Sequence, residues 1–137
     1  MNKSDIAKIL LDRALVMTFT PKPPIPVYDV MQQTPAVAGA HVEAQFLPNE
    51  STELSVGNDA PKWHQGFLQM TVVWPAGEGV VAPSLYVDRI IEHWKKGTTL
   101  FGTGFKLRVN RTPWDGQPFK DGKWVRIPVS IPYIVIA

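Results

Sequence analysis

Residues Val125 to Ala137 read V-R-I-P-V-S-I-P-Y-I-V-I-A. Apolar and other residues alternate here as they do along a half-buried β-strand, yet Pro128 and Pro132 interrupt the run. Successive backbone N–H groups of a strand point to opposite flanks in the plane of the sheet. Positions 128 and 132 share one parity, so both missing donors fall on one flank. Ile127, Val129, Ile131 and Tyr133 serve the other flank, which keeps every donor. Proline in a sheet is confined to edges and bulges. The segment is therefore expected at a sheet edge, with its prolines blocking stray pairing.

Side chains follow the same parity. Val125, Ile127, Val129 and Ile131 are expected to face a core, and Arg126, Pro128, Ser130 and Pro132 to face away. Beyond Pro132 the alternation stops, and Y-I-V-I-A is apolar on both faces. One face should meet the core. The other needs cover, either from a helix of the same chain or from another copy. Ile131, Tyr133, Ile134 and Ile136 are the candidates to form or support a subunit contact.

The strand tells of a sheet, and the rest of the chain supplies its partners. W-H-Q-G-F-L-Q-M-T-V-V-W-P, Trp63 to Pro75, is rich in aromatic and β-branched residues and is the strongest central-strand candidate. A-H-V-E-A-Q-F-L from Ala40 and a short run at 25–30 are further strands. T-T-L-F and F-K-L-R-V-N-R flank Gly102-Thr103-Gly104 and read as a hairpin. A first helix over about 3–16, with Ser4 as its N-cap, follows from apolar Ile6, Ile9, Leu10 and Ala14 at helical spacing. A second, over about 80–96, carries Val87, Ile90, Ile91 and Trp94 on one face. Pro83 is tolerable only in its first turn, and Gly97 supplies the stop. Thr18 to Pro26, T-F-T-P-K-P-P-I-P, reads as a stiff extended connector. Pro48 to Pro61 is polar and turn-rich, and a mobile loop is expected over about 48–62. The order of elements predicts an α+β fold, a mostly antiparallel sheet with both helices packed on it.

At 137 residues the chain has the length of one domain, 1–137. A domain of that size buries roughly 68–70% of its unfolded surface, enough for a core without covalent staples. There is no cysteine, which excludes disulfides and thiolate metal sites. The apolar fraction is 45% and charged residues are 19%, a folded rather than a disordered composition. The net charge of +2 is far below that of a dedicated DNA-binding module. The first residues, M-N-K-S-D-I-A-K-I-L-L-D-R, mix acids and bases and do not read as a signal peptide. No apolar run approaches the roughly 20 residues of a membrane span.

Candidates for chemistry are thin. His41, His64 and His93 lack the spacing of metal ligands. Glu50 and Glu53 fall in the polar loop, with no apolar pocket to raise their pKa. Gly102-Thr103-Gly104 lacks the third glycine and the helix of a dinucleotide site, and Gly77-Glu78-Gly79 lacks the Lys-Ser/Thr of a phosphate loop. An enzymatic alternative would need His64, Glu78 and His93 to converge. Lys106 and Arg108 share one strand face, and Arg111, Lys120, Lys123 and Arg126 follow. Such a patch alone would bind nucleic acid weakly, since affinity grows with the phosphates neutralised. Trp114 and Phe119, interleaved with it, leave a small nucleic-acid-binding module as a second alternative.

W-P-A-G-E-G-V-V-A-P-S-L-Y-V-D-R-I-I-E-H-W-K-K-G-T-T-L, followed by W-V-R-I-P-V-S-I-P-Y, resembles the phage tail terminator-like proteins, a family distantly related to the terminator of lambda-type phages. The likeness lies in the G-x-G joint, the helix ending in H-W-K-K-G-T-T-L and the closing I-P-V-S-I-P-Y. The family often has Phe where this chain has Trp94. The resemblance implies a structural subunit without enzymatic activity or cofactor. It implies a hexameric ring on the end of the tail tube, compatible with a monomer in solution. The ring would end tube polymerisation and offer a joining surface to head-completion proteins, in the host cytoplasm and then in the virion tail. DNA would be passing cargo only, with Lys106, Arg108 and Arg126 as candidates for the channel wall. Another neck or minor tail protein of similar fold fits the same pattern.

Overall fold

A computed structural model describes residues 3–15, 27–29, 39–48, 52–53, 62–102 and 104–136. Two strands form its spine. β4 (Lys62–Pro75) and β9 (Trp124–Ile136) run antiparallel in continuous register from Trp63↔Ile136 to Pro75↔Trp124. The strand with the prolines is thus central, not an edge. On its other flank it takes three short partners in turn: β8 (Phe119–Asp121) against 124–126, β7 (Trp114–Asp115) against 129–130 and β6 (Phe105–Arg108) against 134–136.

The parity argument explains this arrangement. Gly116 N–H donates to the Pro128 carbonyl at 2.8 Å, so the backbone groups of even-numbered residues face the β7 flank. Both missing donors face that flank as well. Pro128 falls between the stretches paired by β8 and β7, and Pro132 between those paired by β7 and β6. The full set of donors faces β4. Prolines therefore divide one flank into short pairings and leave the other intact.

Beyond β4 lie β2 (His41–Pro48), antiparallel to it, and β1 (Val27–Asp29), which pairs parallel to β2 and makes the sheet mixed rather than purely antiparallel. β3 (Thr52–Glu53) pairs with the start of β4. The expected mobile loop over 48–62 otherwise lies outside the described residues at 49–51 and 54–61, as does the expected connector at 18–26. At the opposite side, β5 (Thr99–Gly102) forms the expected hairpin with β6, giving the order β1-β2-β4-β9-β6-β5. Gly104 turns the hairpin with φ +79°. Gly102 is needed because a Cβ there would overlap the Phe105 ring.

α1 (Lys3–Leu15) contributes Ile6, Leu10 and Ala14 to the core, one stripe at four-residue intervals, with Ile9 half-buried beside it. Ser4 lies inside the helix rather than capping it. α2 (Val81–His93) contributes Pro83, Tyr86, Val87 and Ile90, and Trp94 follows at its C-cap. The helix stops short of the expected 96. The Trp94 N–H still reaches the Ile90 carbonyl, and Gly97 instead donates to Val109 in the turn toward β5. These side chains meet Leu68, Met70 and Val72 of β4 and Ile127, Val129, Ile131, Tyr133 and Val135 of β9 in one buried cluster.

Candidate interaction surface

Alternation along β9 sorts the expected contact residues. Ile131 and Tyr133 are 0% and 2% exposed, filled into the subunit's own core, so they can support a contact but cannot make one. Ile134, of the opposite parity, is half-buried on the other face of the sheet. Ile136 pairs through its backbone with Trp63 on β4 and Lys106 on β6. The ring of Tyr133 stacks on Phe46 with centroids 6.1 Å apart.

Burial pushes the Tyr133 phenol up from its usual 10.0 to about 12. The folded protein thus favours the neutral phenol, and the unfolded chain ionises first. This stabilisation is complete below pH 10 and is lost as the pH rises from about 10 to about 12. An alkaline titration followed by phenolate absorbance and circular dichroism should show one late phenolate appearing together with unfolding. Tyr133→Phe should lack that step. A Tyr133 phenolate formed near pH 10 in a still-folded protein would contradict this burial.

The three expected channel cations separate into two kinds. Lys106 and Arg108 are exposed on β6, alternating with buried Phe105 and Leu107. Neither has an ion-pair partner among the described residues. Arg126 is different. Its Nη1 donates to Glu43 Oε2 at 2.9 Å and its Nε to Asp121 Oδ2 at 2.9 Å. Burial alone would lower its pKa, but the two carboxylates raise it on balance. Arg126 is therefore paired within the subunit, unlike Lys106 and Arg108. The network extends to His41, whose Nε2 lies 3.2 Å from Glu43 Oε1 and whose Nδ1 lies 3.1 Å from the Gly39 carbonyl. Tyr28 and Trp124 pack edge-on against the His41 ring. This cluster joins β2, β8 and β9 on the side of the sheet away from the core.

No catalytic constellation assembles from the expected residues. Glu78 lies in the turn before α2 and His93 at its end, about 20 Å apart along a 13-residue helix. His64 is at the far end of β4 from Glu78. Burial, reinforced by the Arg13 guanidinium, lowers the His93 pKa, and Arg13 Nη2 donates to the His93 carbonyl at 2.9 Å. Among the described residues no group of His, Asp and Glu is placed to hold a metal ion, and no helix is long and apolar enough to cross a membrane.

Large apolar side chains reach solvent on β5 and α2 as well as at the expected Trp114. Phe101 on β5 is 75% exposed, directly across from Lys106. Val81 and Leu85 on α2 are 75% and 47% exposed. Trp114 stands edge-on to Phe67 with Arg111 over its ring. The signal for Phe101 was in the sequence: Leu100 and Leu107 form the inward pair of the hairpin, which leaves Phe101 pointing outward.

Comparison with known proteins places the chain in a family. The family model described as phage tail terminator protein matches residues 5–133. The chain belongs to the phage tail terminator family, whose members are structural components of the tail. No curated protein matches. Two solved chains match. One of them is 23% identical, with a TM-score of 0.71, over 97% of this chain and 92% of the other, and it supports the fold.

Proposed function

We propose that this chain is a single-domain subunit that caps the tail tube as a ring, ends tube polymerisation and presents the surface to which the head is joined. The observation that carries the reading is the terminator-family match over 5–133, nearly the whole chain. The mechanism is steric. A ring seated on the last tube layer covers the surface on which another layer would add, and no bond need be made or broken. The fold suits that task. Its rigid spine of two long strands can hold exposed side chains of β5, β6 and α2 in fixed positions, so a contact loses little conformational entropy on forming.

The test is direct. Tail-tube protein is polymerised with increasing amounts of this chain, and the products are imaged by electron microscopy. Tubes should shorten as the ratio rises, with extra density at one end. Tubes of unchanged length with bare ends at every ratio would refute capping.

A further inference from the structure

We propose that copies of this chain join head to tail, the acidic apolar face of α2 in one copy seating on the basic apolar face of the β5–β6 hairpin in the next. The use of this contact in a ring rests on the capping reading; its geometry does not.

Val81, Leu85 and Asp88 fall at i, i+4 and i+7, one stripe of α2, and all three are exposed while Tyr86, Val87 and Ile90 are buried. Glu78 lies in the turn that leads into this stripe, also exposed. Neither Glu78 nor Asp88 has an ion-pair partner among the described residues, whereas the neighbouring Arg89 is paired with Glu92. The second face is built by the hairpin register. Phe101 stands across from Lys106 and Thr99 across from Arg108, so these side chains share one face. Beside Val81 and Leu85 the free charges are acidic and beside Phe101 they are basic, while the exposed Lys95 and Lys96 lie beyond the far end of α2.

Charge decides the mode of association. Pairing either face with its own copy would bring like charges together, at a cost in orientation and affinity, whereas pairing α2 with β5–β6 matches them. The two faces lie on opposite sides of the subunit. Leu100 and Leu107 point toward the core shared with α2, so Phe101 and Lys106 point to the other side of the sheet. The α2 stripe points away from that core in the opposite sense. Unlike faces on opposite sides make a heterologous contact, which repeats from copy to copy and closes when the rotation fits. Val81, Leu85 and Phe101 supply apolar burial, and the four charges supply register. Lys106 and Arg108 then lie at the seam between subunits rather than on a channel wall.

The chain has no cysteine, so single thiols can be placed cleanly. Ala82→Cys and Thr99→Cys, which flank the contact and leave Val81, Leu85 and Phe101 in place, are prepared separately and treated with a short bis-maleimide, alone at high concentration and again with tail tubes present. A mixture of the two variants should give a mixed cross-linked dimer, each variant alone should stay monomeric, and the double variant should give a ladder. Lys106→Glu with Arg108→Glu should lower the mixed yield about tenfold, equivalent to 1.4 kcal/mol, and Glu78→Lys with Asp88→Lys in the opposing copy should restore it. Circular dichroism confirms that each variant is folded. Cross-linking of either variant to itself, or no mixed product with and without tubes, overturns the proposal. Tube length is read in parallel with the unmodified chain. Uncapped tubes with mixed cross-links reject capping and keep the contact, and capped tubes without them do the reverse.

Discussion

Val129→Pro should destabilise the fold by on the order of 3 kcal/mol or more, although proline already occurs one residue before it. The difference is the flank. The Gly116–Pro128 hydrogen bond turns even-numbered residues of β9 toward β7, so odd-numbered residues turn toward β4. Val129 faces Met70 in that ladder, and both are fully buried. Proline at 129 removes the donor, leaves the Met70 carbonyl unpaired in a dry interior and drives its ring into β4. An unsatisfied buried carbonyl alone costs about 1–3 kcal/mol, and the displaced strand adds to it. Against a typical stability of about 5–15 kcal/mol this is a large share. Pro128→Ala is the control. It restores a donor on the interrupted flank and should cost about 1 kcal/mol or less, mostly through the freer unfolded chain. Urea denaturation of the two variants measures both values. Equal stabilities would show that the flanks have been assigned the wrong way round.

The same strand shows how far the sequence could be read. Donor parity and side-chain parity are fixed by backbone geometry, and both were legible: Ile127, Val129 and Ile131 are buried and the prolines spare one flank, although Pro132, of the opposite parity, is buried as well. The step from a damaged flank to an edge strand was not secure. A flank missing two donors can still be paired by several short strands whose gaps fall at the prolines, and β6, β7 and β8 do this. β7 and β8 are two and three exposed residues, too short to show a period, and the alternation of β6 does not say which strand it joins. The helices were legible because their apolar stripes repeat, while the parallel β1–β2 pairing leaves no mark in either strand's own sequence.

For the surface, Lys106 and Arg108 could be placed from local alternation. The pairing of Arg126 with Glu43 could not be read, because the two lie 83 residues apart. Tyr133 was enlisted for a contact because both faces of Y-I-V-I are apolar. Its parity with Ile131 already pointed to the core. The α2 face was missed for a related reason. Reading for the buried stripe leaves the other side of the helix to be treated as solvent by default.

Trp94→Ala should cost about 3–5 kcal/mol, the range for emptying a large aromatic site in a close-packed core. Trp94 is fully buried at the C-cap of α2. The Arg13 guanidinium lies 5.2 Å from its ring centroid, and Arg13 also holds the His93 carbonyl, so this side chain helps to join the end of α1 to the end of α2. Alanine would leave a cavity and remove the surface on which Arg13 rests, a cation–π contact worth roughly 0.5–1 kcal/mol even at exposed sites. The melting temperature should fall by roughly 10–20 °C. Trp94→Phe isolates the causes. It keeps an aromatic face for Arg13 and removes an indole N–H that has no acceptor among the described residues. Losing that orphaned donor offsets part of the lost volume, so the phenylalanine variant should lose only roughly 1–2 kcal/mol. Thermal and urea unfolding of both variants, with Arg13→Met in a double-mutant cycle, separates packing from the cation contact. If phenylalanine costs as much as alanine, the indole nitrogen is bonded after all, and the ring is held by polarity rather than by shape.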